Sequence, residues 1–242
     1  RTYRLQTQAI NTFPQRDGYH RIFSQINLSL ANNLASSVPK GSSPSAQTQQ
    51  TIYQLIQQSI NSGREATTVS PQTSANWQNL SSIYRGLIGF GQNADSFAIL
   101  ANQRAVVLDP NNPVQYINYG GIFYQLGQWD NAIRQFQIAV SIKPDFPNAH
   151  YNLGHALEKK GDLEQALVAY QRVKSLVGRD KKSIEQIDKE IKALEAKIAS
   201  GGSADQTQAQ AQSPESSLGV NKPDTQLPAQ KNPVKIPGPK ET

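Results

Sequence analysis

The chain has 242 residues, of which 37% are hydrophobic and 17% are charged, and its formal net charge is +6. Because it contains no cysteine, a disulfide framework, a thiol nucleophile and a thiolate metal site are excluded. No stretch approaches the roughly 18 consecutive apolar residues of a membrane span, so this chain is not expected to contain one. Lys and Arg form no cluster typical of a nucleic-acid interface, so a nucleic-acid partner is not expected.

A repeat of 34 residues organises the middle of the chain. The aligned pairs are Pro113 with Pro147, Gly120 with Gly154, Phe123 with Leu157, Gly127 with Gly161, Trp129 with Leu163, Ala132 with Ala166, and Phe136 with Tyr170. Small residues recur where two helices approach closely, and large apolar residues recur at helical spacing. Each copy is therefore predicted to form two helices joined by a glycine turn, with an apolar face covered by neighbouring copies.

This pattern resembles the tetratricopeptide repeat (TPR) family. The family consensus W-x2-L-G-x2-Y, followed by G, A, F, A and P, is met almost completely by residues 113–180. The resemblance implies an all-α fold, a TPR-type helix–turn–helix solenoid. It also implies a protein–protein interaction scaffold that binds an extended peptide or a partner helix in a concave groove.

In chain order, the same pattern divides the sequence into seven predicted segments. These are the second helix of a truncated repeat (1–16), a degenerate repeat with a Ser/Pro-rich insertion (17–73), a repeat with a long turn (74–112), two full repeats (113–146 and 147–180), a capping helix (181–199) and a Gln/Pro-rich tail (200–242). The first copy begins within its second helix, so we expect further residues upstream of Arg1.

The predicted capping helix and tail differ sharply in composition. Apolar residues in 181–199 follow the 3-4-3-4 spacing of an amphipathic helix that closes the last hydrophobic face. Residues 200–242 contain no aromatic residue and six prolines, which predicts a disordered tail. The tail is interpreted as a tether, and Pro-Val-Lys-Ile-Pro-Gly-Pro (233–239) within it is an alternative candidate for a docking peptide.

In the TPR family, the first helix of each repeat lines the concave surface through positions 2, 5, 6, 9, 12 and 13. Carried onto this sequence, the candidate peptide-binding residues are Gln78, Asn79, Ser82 and Arg85, then Asn118, Tyr124 and Gln125, and then Tyr151, Asn152, His155 and Lys159.

Three of these residues, Asn79, Asn118 and Asn152, share one repeat position and form the asparagine ladder. A row of amides, each with donors and an acceptor, can pair with the backbone of an extended peptide. Tyr124 and Tyr151 add apolar rings with polar tips. The alternative interpretation is that asparagine at this position packs the repeats together.

The sequence predicts no catalytic residue, metal site or cofactor. His20 and His150 occupy the Trp position of their repeats, which is a packing position. His155 faces the predicted groove, but the spacing indicates no carboxylate or cysteine partner for it. The chain is therefore not expected to be an enzyme.

A second functional hypothesis is an assembly or regulatory domain of a larger, membrane-anchored bacterial protein involved in the cell envelope or its polysaccharides. The composition is similar to that of the soluble tails of bacterial polytopic membrane proteins, including relatives of O-antigen ligases. In this hypothesis the active part lies upstream, and the domain is extracytoplasmic. The sequence does not identify the partner or the oligomeric state.

Overall fold

A computed structural model of the chain describes residues 2–39, 43–178, 180–201 and 234–235. Two units are present: Arg1–Asp109 together with Pro223–Thr242 (unit 1), and Pro110–Lys222 (unit 2). Ten helices account for most of the described residues, and within each unit they pack against helices adjacent in sequence. The predicted all-α, TPR-type fold is therefore confirmed for this part of the chain.

Unit 1 contains five helices and a short strand pairing. Its helices are α1 (Thr2–Thr12), α2 (Asp17–Ser36), α3 (Ala46–Val69), α4 (Ser74–Arg85) and α5 (Ala94–Leu108). Helix α2 packs on α3, α3 on α4, and α4 on α5. Strand β1 (Gly91–Gln92) lies in the long turn between α4 and α5, and pairs in parallel with β2 (Val234–Lys235).

Unit 2 contains the two full repeats and the capping helix. Its helices are α6 (Pro113–Gln125), α7 (Trp129–Ile142), α8 (Pro147–Lys160), α9 (Leu163–Leu176) and α10 (Lys181–Ala199). Pro113 and Pro147 open their helices, where a missing N–H costs nothing. Gly127 and Gly161 have φ of 72° and 99°, a backbone conformation in which glycine is favoured at helix ends.

One contact recurs at the start of three first helices and explains two of the histidines. A ring N–H donates to the prolyl carbonyl six residues earlier: Trp77 to Pro71 at 2.7 Å, His20 to Pro14 at 2.7 Å, and His150 to Pro144 at 2.9 Å. Because a carbonyl only accepts, each histidine carries a hydrogen on Nε2. Each hydrogen bond ties the ring to the turn before its helix, so these rings have a structural role.

Two glycines of unit 2 give space to two buried rings. A Cβ on Gly120 would lie 2.4 Å from Phe136 Cε1, and one on Gly154 would lie 2.4 Å from Tyr170 Cε1. Phe136 and Tyr170 are fully buried. In each repeat, the first and second helices therefore meet through a glycine and an aromatic ring.

Unit 1 fills the same two positions differently. The degenerate repeat has Ser24 and Gly63 there, and the repeat with the long turn has Ser81 and Asn102. The Ser81 hydroxyl donates to the Ala98 carbonyl at 2.9 Å. Asn102 is 1% exposed, and its side-chain amide has no hydrogen-bond partner within the described part of the chain. Where unit 2 buries a ring, unit 1 buries polar or small groups.

Helix α10 closes the core of unit 2. Ile187, Ile191 and Leu194 are buried and belong to the same hydrophobic cluster as Tyr170 and Val173 of α9. The predicted capping helix thus covers an apolar face that α9 would otherwise expose to water.

Parts of the sequence interpretation lie outside the described residues. These are most of the predicted tail, of which the structure describes Ser200, Gly201 and β2, and residues 40–42 of the predicted Ser/Pro-rich insertion.

Candidate functional site

The predicted peptide-binding residues fall on two surfaces, one in each unit. The α4 face consists of Gln78, Asn79, Ser82 and Arg85 in unit 1. The α6/α8 face consists of Asn118, Tyr124 and Gln125 on α6, and Tyr151, Asn152, His155 and Lys159 on α8, in unit 2.

On the α4 face, the asparagine lies below the surface. Asn79 is 7% exposed, and its Nδ2 donates to Ser24 Oγ on α2 at 2.8 Å. Ser24 Oγ in turn donates to the Arg21 carbonyl at 2.7 Å. Ser82 is exposed, while Gln78 and Arg85 are half-buried. A molecule approaching this face would therefore meet Gln78, Ser82 and Arg85 before Asn79.

On the α6/α8 face, the two asparagines are in different environments. Asn152 is fully buried, and its Nδ2 donates to the Asn148 carbonyl at 2.7 Å and to Asn148 Oδ1 at 2.9 Å. Asn118 is half-buried. Of the three ladder residues, Asn118 presents its amide to solvent most fully, so the shared repeat position does not give the three side chains equal access.

The two tyrosines of the α6/α8 face lie in the interior of unit 2. Tyr124 and Tyr151 are each 2% exposed. Burial, supported by the charge of Glu158, raises the pKa of Tyr124 to about 12. The ring of Tyr124 also meets Trp129 edge to face, with centroids 5.1 Å apart. Both rings therefore belong to the hydrophobic core of unit 2.

A polar cluster that sequence reasoning missed joins α8 to α10. Glu190 Oε1 accepts a hydrogen bond from the Tyr151 hydroxyl at 2.9 Å, and Glu190 Oε2 lies 3.5 Å from His155 Nε2. The imidazole of His155 packs edge-on against Tyr151 and Tyr170. His155 thus has a carboxylate partner, contrary to the sequence-based expectation. The partner lies on a different helix, 35 residues away, so no local spacing indicates it.

The environment of Glu190 favours its ionised form. Burial of the carboxylate by itself would raise its pKa, but the nearby imidazole of His155 and hydrogen bonds from Tyr151 and Gln186 outweigh this effect. The net effect lowers the pKa of Glu190. The carboxylate is therefore a stabilising link between the capping helix and the last repeat at neutral pH.

The sign of this shift gives a pH prediction. A lowered folded-state pKa adds stability above about pH 5, which is lost as the pH falls through that pKa. Glu190→Gln should therefore lower Tm at pH 7, and the difference from the parent should shrink between about pH 5 and pH 3. Thermal unfolding followed by circular dichroism checks this, with Glu195→Gln, an exposed carboxylate on the same helix, as the control at pH 7. Parallel Tm profiles for parent and Glu190→Gln would contradict the prediction.

Lysine side chains on α8 and α10 add positive charge to this part of unit 2. Lys159 is exposed. Lys197 of α10 lies 3.7 Å from Glu158 Oε1, and Glu158 Oε2 accepts a hydrogen bond from the Tyr170 hydroxyl at 3.1 Å.

The described residues contain no group of three or more His, Cys, Asp or Glu side chains placed to hold a metal ion. A separate search of the described helices finds none long and apolar enough to cross a bilayer.

Comparison with known families matches two overlapping parts of unit 2. A family described as TPR repeat matches residues 120–161, and one described as tetratricopeptide repeat matches residues 147–176. These ranges cover α7, α8 and α9 and the last six residues of α6.

Two curated relatives are fungal. Small glutamine-rich tetratricopeptide repeat-containing protein 2 of Mycosarcoma maydis is 43% identical over 75 residues, which are 31% of this chain and 21% of that protein. The tetratricopeptide repeat and J domain-containing co-chaperone DNJ1 of Cryptococcus neoformans is 34% identical over 83 residues, 33% of this chain and 16% of that protein. The chain spans about a fifth of the length of these relatives. They lend no support to a bacterial, membrane-anchored origin.

A solved structure shows the same fold. TTC0263, a thermophilic TPR protein of Thermus thermophilus, superposes with a TM-score of 0.55 at 16% identity, over 80% of this chain and 89% of that one. Together with the family matches, this likeness shows that the chain carries tetratricopeptide repeats and has the fold of that family.

Proposed function

We propose that the chain is a protein–protein interaction module that binds an extended peptide or a partner helix on the α6/α8 face. The observation that carries this proposal is the contrast in exposure on that face. Asn118 is half-buried, while Asn152, Tyr124 and Tyr151 are buried. Hydrogen-bonding groups that are held on well-packed helices lose little entropy when they bind a partner.

Within this proposal the candidate residues have two roles. Asn118, His155 and Lys159 are the groups that a ligand would touch, and amide and ammonium groups suit the carbonyls and carboxylates of a peptide. Asn152, Tyr124 and Tyr151 would act by holding the helices in place. On the α4 face, Gln78, Ser82 and Arg85 would contact a ligand, with Asn79 beneath them.

The relatives support the general class of function. One is named a co-chaperone and the other a tetratricopeptide repeat protein, and a co-chaperone works by contact with other proteins. The identity of the partner of this chain does not follow from these names, because function depends on the site and not on the fold.

The decisive variant is Asn118→Ala. Peptides selected from a random display library against the full chain supply the ligand, and isothermal titration calorimetry gives the Kd. Loss of one or two backbone hydrogen bonds should raise the Kd by roughly 3- to 10-fold. The matched control is Gln137→Ala, which removes an exposed amide from α7, outside both faces.

Two results would contradict the proposal. One is failure to select any peptide that binds the parent chain. The other is an equal Kd for Asn118→Ala and Gln137→Ala, which would place the binding surface elsewhere. Urea unfolding of both variants separates a lost contact from a lost fold.

A further inference from the structure

The long turn between α4 and α5 presents a short extended edge. Leu87, which is 3% exposed, anchors the turn, and its carbonyl accepts hydrogen bonds from the N–H groups of Phe90 at 3.0 Å and Gly91 at 2.8 Å. Gly89 and Asn93, with φ of 87° and 58°, reverse the chain on either side of β1. This long turn thus forms a small structured element.

A distant part of the chain pairs with this edge. Strand β2 runs parallel to β1, with Val234 opposite Gly91 and Lys235 opposite Gln92. The two strands are separated by more than a hundred residues of sequence, so the pairing is a docking contact and not a local hairpin.

The sequence around β2 suits an added strand. Pro233 and Pro237 flank Val-Lys-Ile. Valine and isoleucine favour extended backbone, and Pro237 disfavours a helical conformation at the residue before it. Neither proline has an N–H, so both limit how far a ladder of hydrogen bonds can extend. The composition of this segment is therefore compatible with a short strand.

We propose that β2 (Val234–Lys235) is an intramolecular ligand of the turn 86–93, bound by strand addition. In this mode, main-chain hydrogen bonds supply the affinity and the edge of an existing element supplies the template. The occupant is the same chain, and the turn is a binding site separate from the α6/α8 face.

Because β2 and the turn 86–93 belong to one chain, β2 docks on its own turn more readily than on the turn of a second chain. Thirty-two residues (202–233) connect Gly201 to β2. A covalent connection of this kind makes the docking of β2 intramolecular, with an effective concentration on the order of millimolar. A two-residue pairing with weak intrinsic affinity is then populated within one chain, while a second chain at micromolar concentration competes poorly.

The absence of native cysteine allows a direct test. Opposed residues on adjacent strands lie about 4.8 Å apart, within the Cα–Cα range of a disulfide. The test variant of the full chain is Gln92→Cys with Lys235→Cys. The matched control is Gln92→Cys with Gln210→Cys, which places the second thiol in the Gln-rich stretch. Mild oxidation at low micromolar concentration is followed by mass spectrometry and non-reducing electrophoresis.

The intramolecular disulfide should form at least about tenfold faster in the test variant than in the control. Equal rates would overturn the proposal, because they would show that tethering alone brings the thiols together. Predominant disulfide-linked dimers in the test variant would overturn the cis assignment in favour of a second copy.

A second measurement leaves the turn itself unchanged. Val234→Pro with Lys235→Pro removes both N–H groups of β2, and Ala209→Pro with Gln210→Pro is the control in the same tail. In ¹⁵N spectra of the full chain, the amide signals of Gly91 and Gln92 should shift in the first variant and not in the second. Unchanged signals in both variants would overturn the proposal.

Discussion

Gly154→Ala should lower the free energy of unfolding by about 2 to 3 kcal/mol, although alanine is the better helix former. The added Cβ would lie 2.4 Å from a ring carbon of Tyr170, which is fully buried. Gly120→Ala should behave alike against Phe136. Urea denaturation followed by circular dichroism measures both effects.

The control is a helical glycine without a close neighbour. A Cβ added to Gly18 of α2 would have nothing within 4 Å, so Gly18→Ala should stabilise the chain by about 0.5 to 1 kcal/mol. A coupling test adds Phe136→Leu to Gly120→Ala, and the double variant should lose less stability than the sum of the single ones. Additive losses, or a neutral Gly154→Ala, would contradict the close packing of glycine and ring.

Leu194→Ala should cost about 2 to 4 kcal/mol, because it removes a buried side chain from the contact of α10 with the core of unit 2. The loss falls at the contact of α10 with α9, which follows the last repeat of unit 2. Urea denaturation again gives the free energy. Lys192→Ala, an exposed site on the same helix, should stay within about 0.5 kcal/mol of the parent. Equal stability for the two variants would mean that α10 is not docked.

The sequence carries enough information for the architecture because the signals of a repeat are local and recur. Pro113 and Pro147 mark helix starts, Gly127 and Gly161 mark turns, and the apolar spacing of 181–199 marks an amphipathic helix. Each signal depends on the backbone preference or the periodicity of a short segment. A second copy 34 residues later reinforces each of them, which a single helix pair could not provide.

The candidate site could be predicted only in outline, because exposure depends on packing between helices. Asn79, Asn118 and Asn152 share one position, yet the structure buries two of them and leaves Asn118 half-buried. Asn79 is covered because Ser24 of the preceding repeat accepts its hydrogen bond. That partner lies 55 residues away, beyond the reach of any periodicity within one repeat.

The contact between His155 and Glu190 also depends on packing between helices, so the sequence pattern does not predict it. The pattern of α10 identifies its apolar residues, since they recur every three or four positions, but not which polar residue turns toward α8. The buried residues Ile187, Ile191 and Leu194 fix the rotation of α10 on the core. In that rotation Glu190 contacts Tyr151 and His155. Side-chain partners that follow from the docking of a helix require the three-dimensional arrangement.

The glycine–ring contacts of unit 2 bear on how such an array can change over evolution. Gly120 and Phe136 belong to one repeat, and Gly154 and Tyr170 belong to the next. A duplication or deletion of 34 residues therefore carries both members of a contact together and leaves each fit intact. The Asn79–Ser24 bond joins successive repeats instead, so moving either repeat separates its two partners. Unit 2 has the kind of interior that tolerates a change in copy number, whereas unit 1 is tied to the order of its neighbours.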